Sequence, residues 1–272
     1  MAAALGPGAE LVPVASGPQP DVNDKERFTR PVERVVLDGG AEAAVHSAKD
    51  LPGHMTAGLA IAAVPPRVDP RDAWIGPGGS VAGIPEGARV GTASLRRRAQ
   101  LRALRPDLEM VELRGNVDTR LRKLEEGEAD GLILAMAGLE RLGRTDVVSF
   151  AFDESEMTPA AGQGALVVQT RTGREGDLAA IGDGASLTRL LAERAAVVGL
   201  DADCSSPVGI HARLEGGWLT LDGFVGRSDG SVWIRDRVEG DPSRPEQLGR
   251  ELADRLLRAG ANEAMSGSTL SD

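Results

Sequence analysis

The chain has 272 residues, a formal net charge of −10 and a hydrophobic content of 41%. Its net negative charge and its few aromatic residues (four Phe, three Trp, no Tyr) argue against binding of nucleic acid or anionic membranes. The single cysteine excludes an intramolecular disulfide and a multi-cysteine metal site, and no apolar run reaches the length of a membrane span. The N-terminus lacks the pattern of a signal peptide, so we expect a cytoplasmic protein.

The first 74 residues contain apolar runs separated by turns rich in Gly, Pro, Asp and Asn. Run lengths and a proline near a helix start predict four elements. These are a strand over 9–15, a helix over 29–38, and strands over 41–47 and 58–64. Residues 65–74, with three prolines, are predicted to cross between domains.

Strand and helix patterns then alternate three times. Strands are predicted over 88–92, 108–114 and 129–135, and helices over 95–104, 117–127 and 138–143. Such alternation is typical of an α/β domain with a largely parallel sheet, in which ligands bind beyond the C-terminal ends of the strands.

The C-terminal part of the chain reads as a small α+β domain. A Gly-rich turn and a strand over 157–171 return the chain to the first domain, and an amphipathic helix follows over 186–200. Strands with GG and DG turns are predicted within 204–238, and a closing helix over 245–259. The last dozen residues are expected to fray.

Residues 91–123 form a basic segment in this acidic chain, with eight arginines and one lysine against four acidic residues. Ser94 is predicted to cap the helix over 95–104, which places Arg96, Arg97 and Arg98 in its first turn. The helix macrodipole already puts partial positive charge there, so the added guanidinium groups predict an anion site. The alternative interpretation is a solvated basic face, or pairing with nearby acidic residues.

Arginines follow the other two predicted parallel strands as well. Because the C-terminal ends of parallel strands meet at one edge of a sheet, these loops are expected to lie together. They carry Arg96, Arg97, Arg114, Arg120 and Arg141. The shared basic rim predicts a small ligand with several negative charges.

Five motifs, in this order, closely resemble the porphobilinogen deaminase (hydroxymethylbilane synthase) family: HSAKDLP, GTASLRRRAQL, LRGNVDTRLRKLEEGEAD, AGLERLG and PAAGQGAL. The resemblance implies two α/β domains like those of type-2 periplasmic binding proteins and a small α+β C-terminal domain. It places domain 1 at residues 1–66 and 164–183, domain 2 at 67–163 and domain 3 at 184–272.

The resemblance also implies an activity. Members of the family are transferases of tetrapyrrole biosynthesis that join four porphobilinogen molecules, release ammonia at each step, and free linear hydroxymethylbilane by hydrolysis. The chain grows on a dipyrromethane cofactor held by a cysteine thioether, here Cys204. A dipyrrole carries four carboxylates, and the planar fork of arginine matches a carboxylate well. A monomer is implied.

Site residues follow from the same motifs. Asp50 is implied as the catalytic carboxylate that stabilises the azafulvene cation and moves protons. The cofactor contacts implied are Cys204, Lys49, Ser47, Ser94, Arg96, Arg97, Arg114 and Arg120. The substrate contacts are Lys25, Arg114, Arg120 and Arg141. Arg98 lies outside the shared pattern and is expected at the surface, His46 is expected to be structural, and no metal site is predicted.

Two departures from the family pattern stand out. Ala202 and Asp203 replace the usual Gly-Gly before the cysteine, which adds a negative charge expected to raise the thiol pKa. The usual first strand, and the turn with its arginine and serine, have no counterpart, and Asp24 and Glu26 replace glycines around Lys25. Either the sequence as given is short, or the chain is an altered paralogue.

Three functional hypotheses follow. The first is a porphobilinogen-polymerising enzyme. The second is a binding module whose α/β domains clamp an anionic small molecule, although such proteins usually carry an export signal and need no cysteine domain. The third is an inactive or impaired paralogue that still binds pyrroles.

Overall fold

The computed structural model describes residues 8–14, 26–203 and 205–266. Three sheets organise these residues, and the predicted α/β class with a small α+β C-terminal unit is confirmed. Residues 9–14 form no strand, so the strand predicted over 9–15 is wrong across its described part. This segment is mostly exposed, so its apolar side chains have no sheet to pack on.

The first sheet has three strands. Helix α1 (Glu26–Leu37) precedes β1 (Ala43–Ser47) and β2 (Leu59–Ala63), and the distant β8 (Leu166–Arg171) lies antiparallel between those two strands. The chain therefore returns to this sheet after leaving it for about a hundred residues. This is the return that was predicted for the strand within 157–171.

The second sheet has five strands. Its strands are β3 (Asp72–Ile75), β4 (Arg89–Gly91), β5 (Glu109–Val111), β6 (Gly131–Ala135) and β7 (Phe150–Ala151). Its helices are α2 (Leu95–Leu104), α3 (Val117–Glu125) and α4 (Met136–Arg141). Across the sheet the strands run in the order β5, β4, β6, β3, β7. Strands β5, β4 and β6 are parallel to one another, so their C-terminal ends share one edge. Strand β3 is antiparallel to both of its neighbours, β6 and β7.

Strand β3 corrects the prediction that residues 65–74 form only a crossover. All four of its residues are buried, and Trp74 packs in one core cluster while Ala73 and Ile75 pack in another. Strand β6 likewise contributes Ile133 to the first cluster and Leu132 to the second. The sheet is thus covered on both faces, as expected for a sheet with parallel strands.

The C-terminal unit has an antiparallel sheet of β9 (Val208–Glu215), β10 (Trp218–Gly226) and β11 (Trp233–Gly240). Helices α5 (Gly184–Gly199), α6 (Pro245–Arg258) and α7 (Ala261–Ser266) complete it. Helix α7 corrects the expectation of fraying directly after the closing helix, because Ala261 and Ala264 are fully buried. Within the described residues, no helix is both long and apolar enough to cross a membrane.

Candidate active site

Asp50 lies in a turn that is fastened to the sheet. Strand β1 ends at Ser47, and a short 3-10 helix (Ala48–Asp50) follows directly. Ala48 is buried, and its N–H donates to the carbonyl of Ala165, just before β8, at 3.0 Å. The turn is therefore held by the returning strand, and its position depends on the segment that precedes β8.

Gly162 in that segment lies directly against the turn. It has a φ of +71°, and a Cβ there would lie 2.8 Å from Ala48 Cβ and 2.9 Å from the backbone nitrogen of Lys49. Both the left-handed backbone and the close approach require glycine. The motif PAAGQGAL thus supports the turn that carries Lys49 and Asp50.

A pair of buried arginines forms the opposite wall. Ser94 caps α2 as predicted, accepting a hydrogen bond from the Arg97 N–H, and the predicted helix over 95–104 is confirmed. Arg96 and Arg97 are 4% and 6% exposed, and their guanidinium nitrogens lie 2.7 and 2.8 Å from the carboxylate of Asp72. Pairing with an acidic residue, the alternative raised from sequence, is therefore part of their role.

This cluster retains an excess of positive charge. Burial opposes ionisation of Asp72, but the charges of Arg96 and Arg97 outweigh it and lower its pKa. Burial, together with repulsion from Arg96, lowers the pKa of Arg97 despite the attraction of Asp72. One carboxylate thus faces two guanidinium groups, so a bound anion would relieve their repulsion.

Arg120 adds to this excess from α3. Its Nε donates to the carbonyl of Gly115 at 2.7 Å. Burial, and secondarily the nearby charge of Arg97, lowers the pKa of Arg120 to about 10. An arginine whose charged form is disfavoured in this way favours a carboxylate ligand beside it.

These walls enclose a cavity of about 580 Å³. Among the described residues, its lining includes five cations and two anions: Lys49, Arg96, Arg97, Arg120, Arg194, Asp50 and Asp203. Ser94, Gln163 and Ser206 add neutral polar groups. The cavity therefore has a carboxylate, Asp50, on one side and a net positive surface around it.

Asp203 and Ser206, which lie on either side of the predicted attachment point in the sequence, line the same cavity. Cys204 itself lies outside the described residues. Burial opposes ionisation of Asp203, but hydrogen bonds from Ser205 and Ser206 outweigh it and lower its pKa. The charge introduced by the Ala-Asp departure is thus held in a local turn.

Other predicted site residues lie elsewhere. Arg114 is exposed and donates to Glu112, and Arg141 donates to the carbonyl of Gly164 at 2.9 Å. Neither these two nor Ser47 is among the described residues that line the cavity. Lys25 lies outside the described residues.

Arg98 corrects the expectation of a surface residue. Its side chain is only 12% exposed, and its Nε donates to the carbonyl of Thr92 at 3.1 Å. It therefore closes the turn between β4 and α2. His46 is also buried, and burial lowers its pKa. Within the described part of the chain, no group of His, Cys, Asp and Glu side chains could hold a metal ion.

Arg194 and Gln163 line the cavity without having been predicted. Arg194, on α5, donates to the carbonyls of Pro52 and Gly53 at 2.9 and 2.8 Å, two and three residues beyond Asp50. Gln163 donates to Asp72 at 3.0 Å. Gln163 could have been found inside PAAGQGAL, whereas Arg194 had no signal beyond its place in an amphipathic helix.

Glu193 links the parts of the site. It is fully buried, and its carboxylate accepts hydrogen bonds from the N–H groups of Gly162 and Ala212 at 2.6 and 2.8 Å and from Arg67 at 2.6 Å. Burial opposes ionisation of Glu193, but Arg67 and neighbouring hydrogen bonds outweigh it and lower its pKa to about 2. One carboxylate therefore joins the crossover segment, the glycine-rich motif and the C-terminal unit.

Comparisons with known proteins agree with the motifs. Two family models match: the dipyromethane cofactor binding domain of porphobilinogen deaminase over residues 15–178, and its C-terminal domain over residues 187–258. A porphobilinogen deaminase from Roseiflexus castenholzii is 45% identical over 250 residues, covering 90% of this chain and 82% of the relative. Another, from Deinococcus radiodurans, is 47% identical over 247 residues, covering 88% of this chain and 79% of the relative.

A solved structure gives only a distant match. A TRAP periplasmic solute binding protein from Desulfovibrio salexigens, with bound orotic acid, is 12% identical and has a TM-score of 0.36. The alignment covers 86% of this chain and 79% of that one. At this score the match supports no conclusion about the ligand.

Proposed function

This chain belongs to the porphobilinogen deaminase family, and we propose that it assembles hydroxymethylbilane in the cavity between Asp50 and Arg97. The enzyme is a transferase that condenses porphobilinogen with release of ammonia, and its cofactor is dipyrromethane. The observation that carries the location is the convergence of Asp50, the arginine cluster and the neighbours of Cys204 on one cavity.

The residues present fit a cysteine-linked dipyrromethane. Such a group has four carboxylates, and the cavity offers buried guanidinium groups whose charge Asp72 only partly balances. Two residues that line the cavity, Asp203 and Ser206, lie on either side of position 204 in the sequence, which supports attachment of the group at Cys204. When bound, the group supplies a fixed starting point with a nucleophilic pyrrole carbon to which the substrate is joined.

The arginines and their neighbours hold carboxylates in this proposal. Arg96, Arg97 and Arg120 offer forked donors, and Lys49 and Ser94 offer further contacts from the two walls. Arg114 and Arg141 on the basic rim, together with Lys25, Ser47 and Arg120, are assigned to carboxylates of the cofactor or the incoming substrate. Support for these assignments comes from the motifs and from the unbalanced charge.

Asp50 acts on the reacting ring. When ammonia leaves porphobilinogen, positive charge develops on the pyrrole, and a carboxylate held beside it stabilises that charge. The same carboxylate accepts a proton from the pyrrole nitrogen or carbon as the new bond forms. The supports described above, Gly162 and the Ala165 carbonyl, keep the Asp50 turn in place during each cycle.

We assign three domains with the boundaries expected from the motifs: 1–66 with 164–183, 67–163, and 184–272. Each sheet takes its strands from one of these units, which supports the division. A cytoplasmic monomer without nucleic-acid or membrane partners completes the proposal, and it rests on the family resemblance and the acidic composition.

The test is turnover by the purified protein. With porphobilinogen alone, the proposal predicts ammonia release and a linear tetrapyrrole that cyclises spontaneously to a porphyrinogen. Porphobilinogen binding with no ammonia release would contradict the proposal and would favour the pyrrole-binding paralogue.

A further inference from the structure

His211 lies at the contact between the C-terminal unit and the segment that follows β7. It is central in β9, and its side chain is only 3% exposed. Its Nε2 lies 3.0 Å from the Glu154 carboxylate, and its Nδ1 lies 3.5 Å from the Glu193 carboxylate. A neutral imidazole has one N–H, so a carboxylate on each side favours the doubly protonated imidazolium.

The charges around this histidine come from five elements. They are Glu154 after β7, Glu193 on α5, Arg67 in the crossover segment, Arg213 on β9, and Asp222 on β10 opposite His211. Arg213 pairs with both Glu154 and Asp222, and Asp222 also pairs with Arg237. Burial opposes protonation, but the hydrogen bond to Glu154 and the negative charge of Glu193 outweigh it and raise the pKa of His211.

This contact is connected to the arginine wall, which is the side of the cavity formed by Arg96 and Arg97. A Cβ on Gly209 would lie 2.6 Å from the carbonyl oxygen of Thr158, so β9 sits directly on the segment that contains Glu154. The same carbonyl accepts hydrogen bonds from Arg96 at 2.8 Å and from Gln100 at 3.0 Å. A shift of β9 away from this segment would therefore move a partner of Arg96.

We propose that His211 is a positioning residue whose imidazolium bridges Glu154 and Glu193 and so fixes strand β9 of the C-terminal unit against the segment that holds Arg96. Its relevance to catalysis rests on the proposed function. Deprotonation leaves one carboxylate facing a nitrogen lone pair and loosens the contact.

The sign of the pH effect follows from the direction of the pKa shift. A group whose folded pKa is raised contributes stability that is present below its ordinary pKa of 6.5. This stability is lost as pH rises through the folded value. The bridge is thus complete below the ordinary pKa of histidine and is lost at higher pH.

The first test is the melting temperature between pH 6 and pH 9. The melting temperature of the native protein should fall by about 2–4 °C over this range. His54→Gln is the matched control, because His54 is exposed, and it should show the same fall. His211→Gln should show none, and a parallel fall in His211→Gln overturns the proposal.

Glu154→Gln keeps the test decisive if His211→Gln does not fold. Glu154 is partly exposed, and the substitution removes one of the two bridged carboxylates. The fall in melting temperature should then begin at lower pH than in the native protein. A superimposable melting profile would contradict the bridge.

The second readout is the pH profile of kcat. As pH rises, the kcat of the native enzyme should fall over the same pH range in which its melting temperature falls. The His211→Gln variant should have a lower kcat, and its kcat should not fall over that range. The same fall in kcat with rising pH in both proteins overturns the positioning role. Melting needs no turnover, so a protein that makes no product at any pH counts against the proposed function alone.

Discussion

The Arg97 guanidinium lies 2.8 Å from the carboxylate of Asp72, and both side chains are buried. Asp72 also holds Arg96, so a single carboxylate from β3 fixes two cations that open α2. Both arginines line the cavity, and the single carboxylate leaves part of their positive charge unbalanced. The anion site thus depends on an acidic residue.

Removal of that acidic residue tests this dependence. Asp72→Asn leaves two buried arginines without their counter-charge and should cost about 3–5 kcal/mol of unfolding free energy, measured by urea denaturation. Asp69→Asn removes a partly exposed partner of Arg71 and should cost about 0–1 kcal/mol. Equal, small losses in both variants would contradict the proposed support of the arginine wall.

Arg120 should bind ligand without stabilising the fold. Arg120→Gln removes a buried charge that Arg97 also repels, but it loses the hydrogen bond to the Gly115 carbonyl, so the unfolding free energy should change little. Loss of a charge-assisted hydrogen bond, about 1.5–3 kcal/mol, should raise KM for porphobilinogen about 10- to 100-fold.

The matched control for Arg120 is Arg122→Gln on the same helix. Arg122 is well exposed and pairs with Glu126 one turn away. Its KM should match that of the native enzyme. A KM that rises equally in the two variants would assign the effect to the net charge of α3 rather than to a contact in the cavity.

Gly162 should tolerate no side chain. Gly162→Ala forces a Cβ into Ala48 and Lys49, so it should lower kcat by displacing the Asp50 turn, and it should also lower the melting temperature. Gly173→Ala is the control, because its φ of +89° is similar but nothing lies within 4 Å of the added atom. That variant should pay only the backbone cost, about 1 kcal/mol, with kcat unchanged. Equal kcat in both variants would remove Gly162 from its assigned role.

Asp50 should be required for the chemical step. Asp50→Asn keeps the shape of the side chain but loses its charge and its capacity to accept a proton, so kcat should fall about 100- to 10,000-fold. Asp38→Asn, at the exposed end of α1, should leave kcat unchanged. Turnover within a few-fold of native in the Asp50 variant would contradict the assignment of Asp50 as the catalytic carboxylate.

Local signals predicted part of the fold well. Helix α2 has its predicted bounds because Ser94 caps it and Pro106 follows it, and β10 matches its apolar run between two turns. Strand β3 was missed because its burial depends on Arg96 and Arg97, which are distant in sequence from Asp72. A segment that has a charged residue, Asp72, near prolines is predicted to be a loop unless the arginines that pair with Asp72 are known.

The site shows the same division between local and distant information. The motifs identified Asp50 and the arginines of α2 and α3. They could not show that Arg194 reaches the carbonyls beyond Asp50, because that contact joins residues more than a hundred positions apart. The pairing of Glu193 with Arg67 and Gly162 is equally non-local.

The intact mass of the purified, denatured protein tests the central claim most directly, namely that Cys204 carries a pyrrole cofactor in the cavity beside Asp50. Protein from cells that make porphobilinogen should carry an added mass of two pyrrole units. Cys204→Ala should have its unmodified mass, and Asp50→Asn should retain the adduct or extended forms of it. Unmodified native protein from such cells, or the same adduct on the Cys204→Ala variant, would contradict the account.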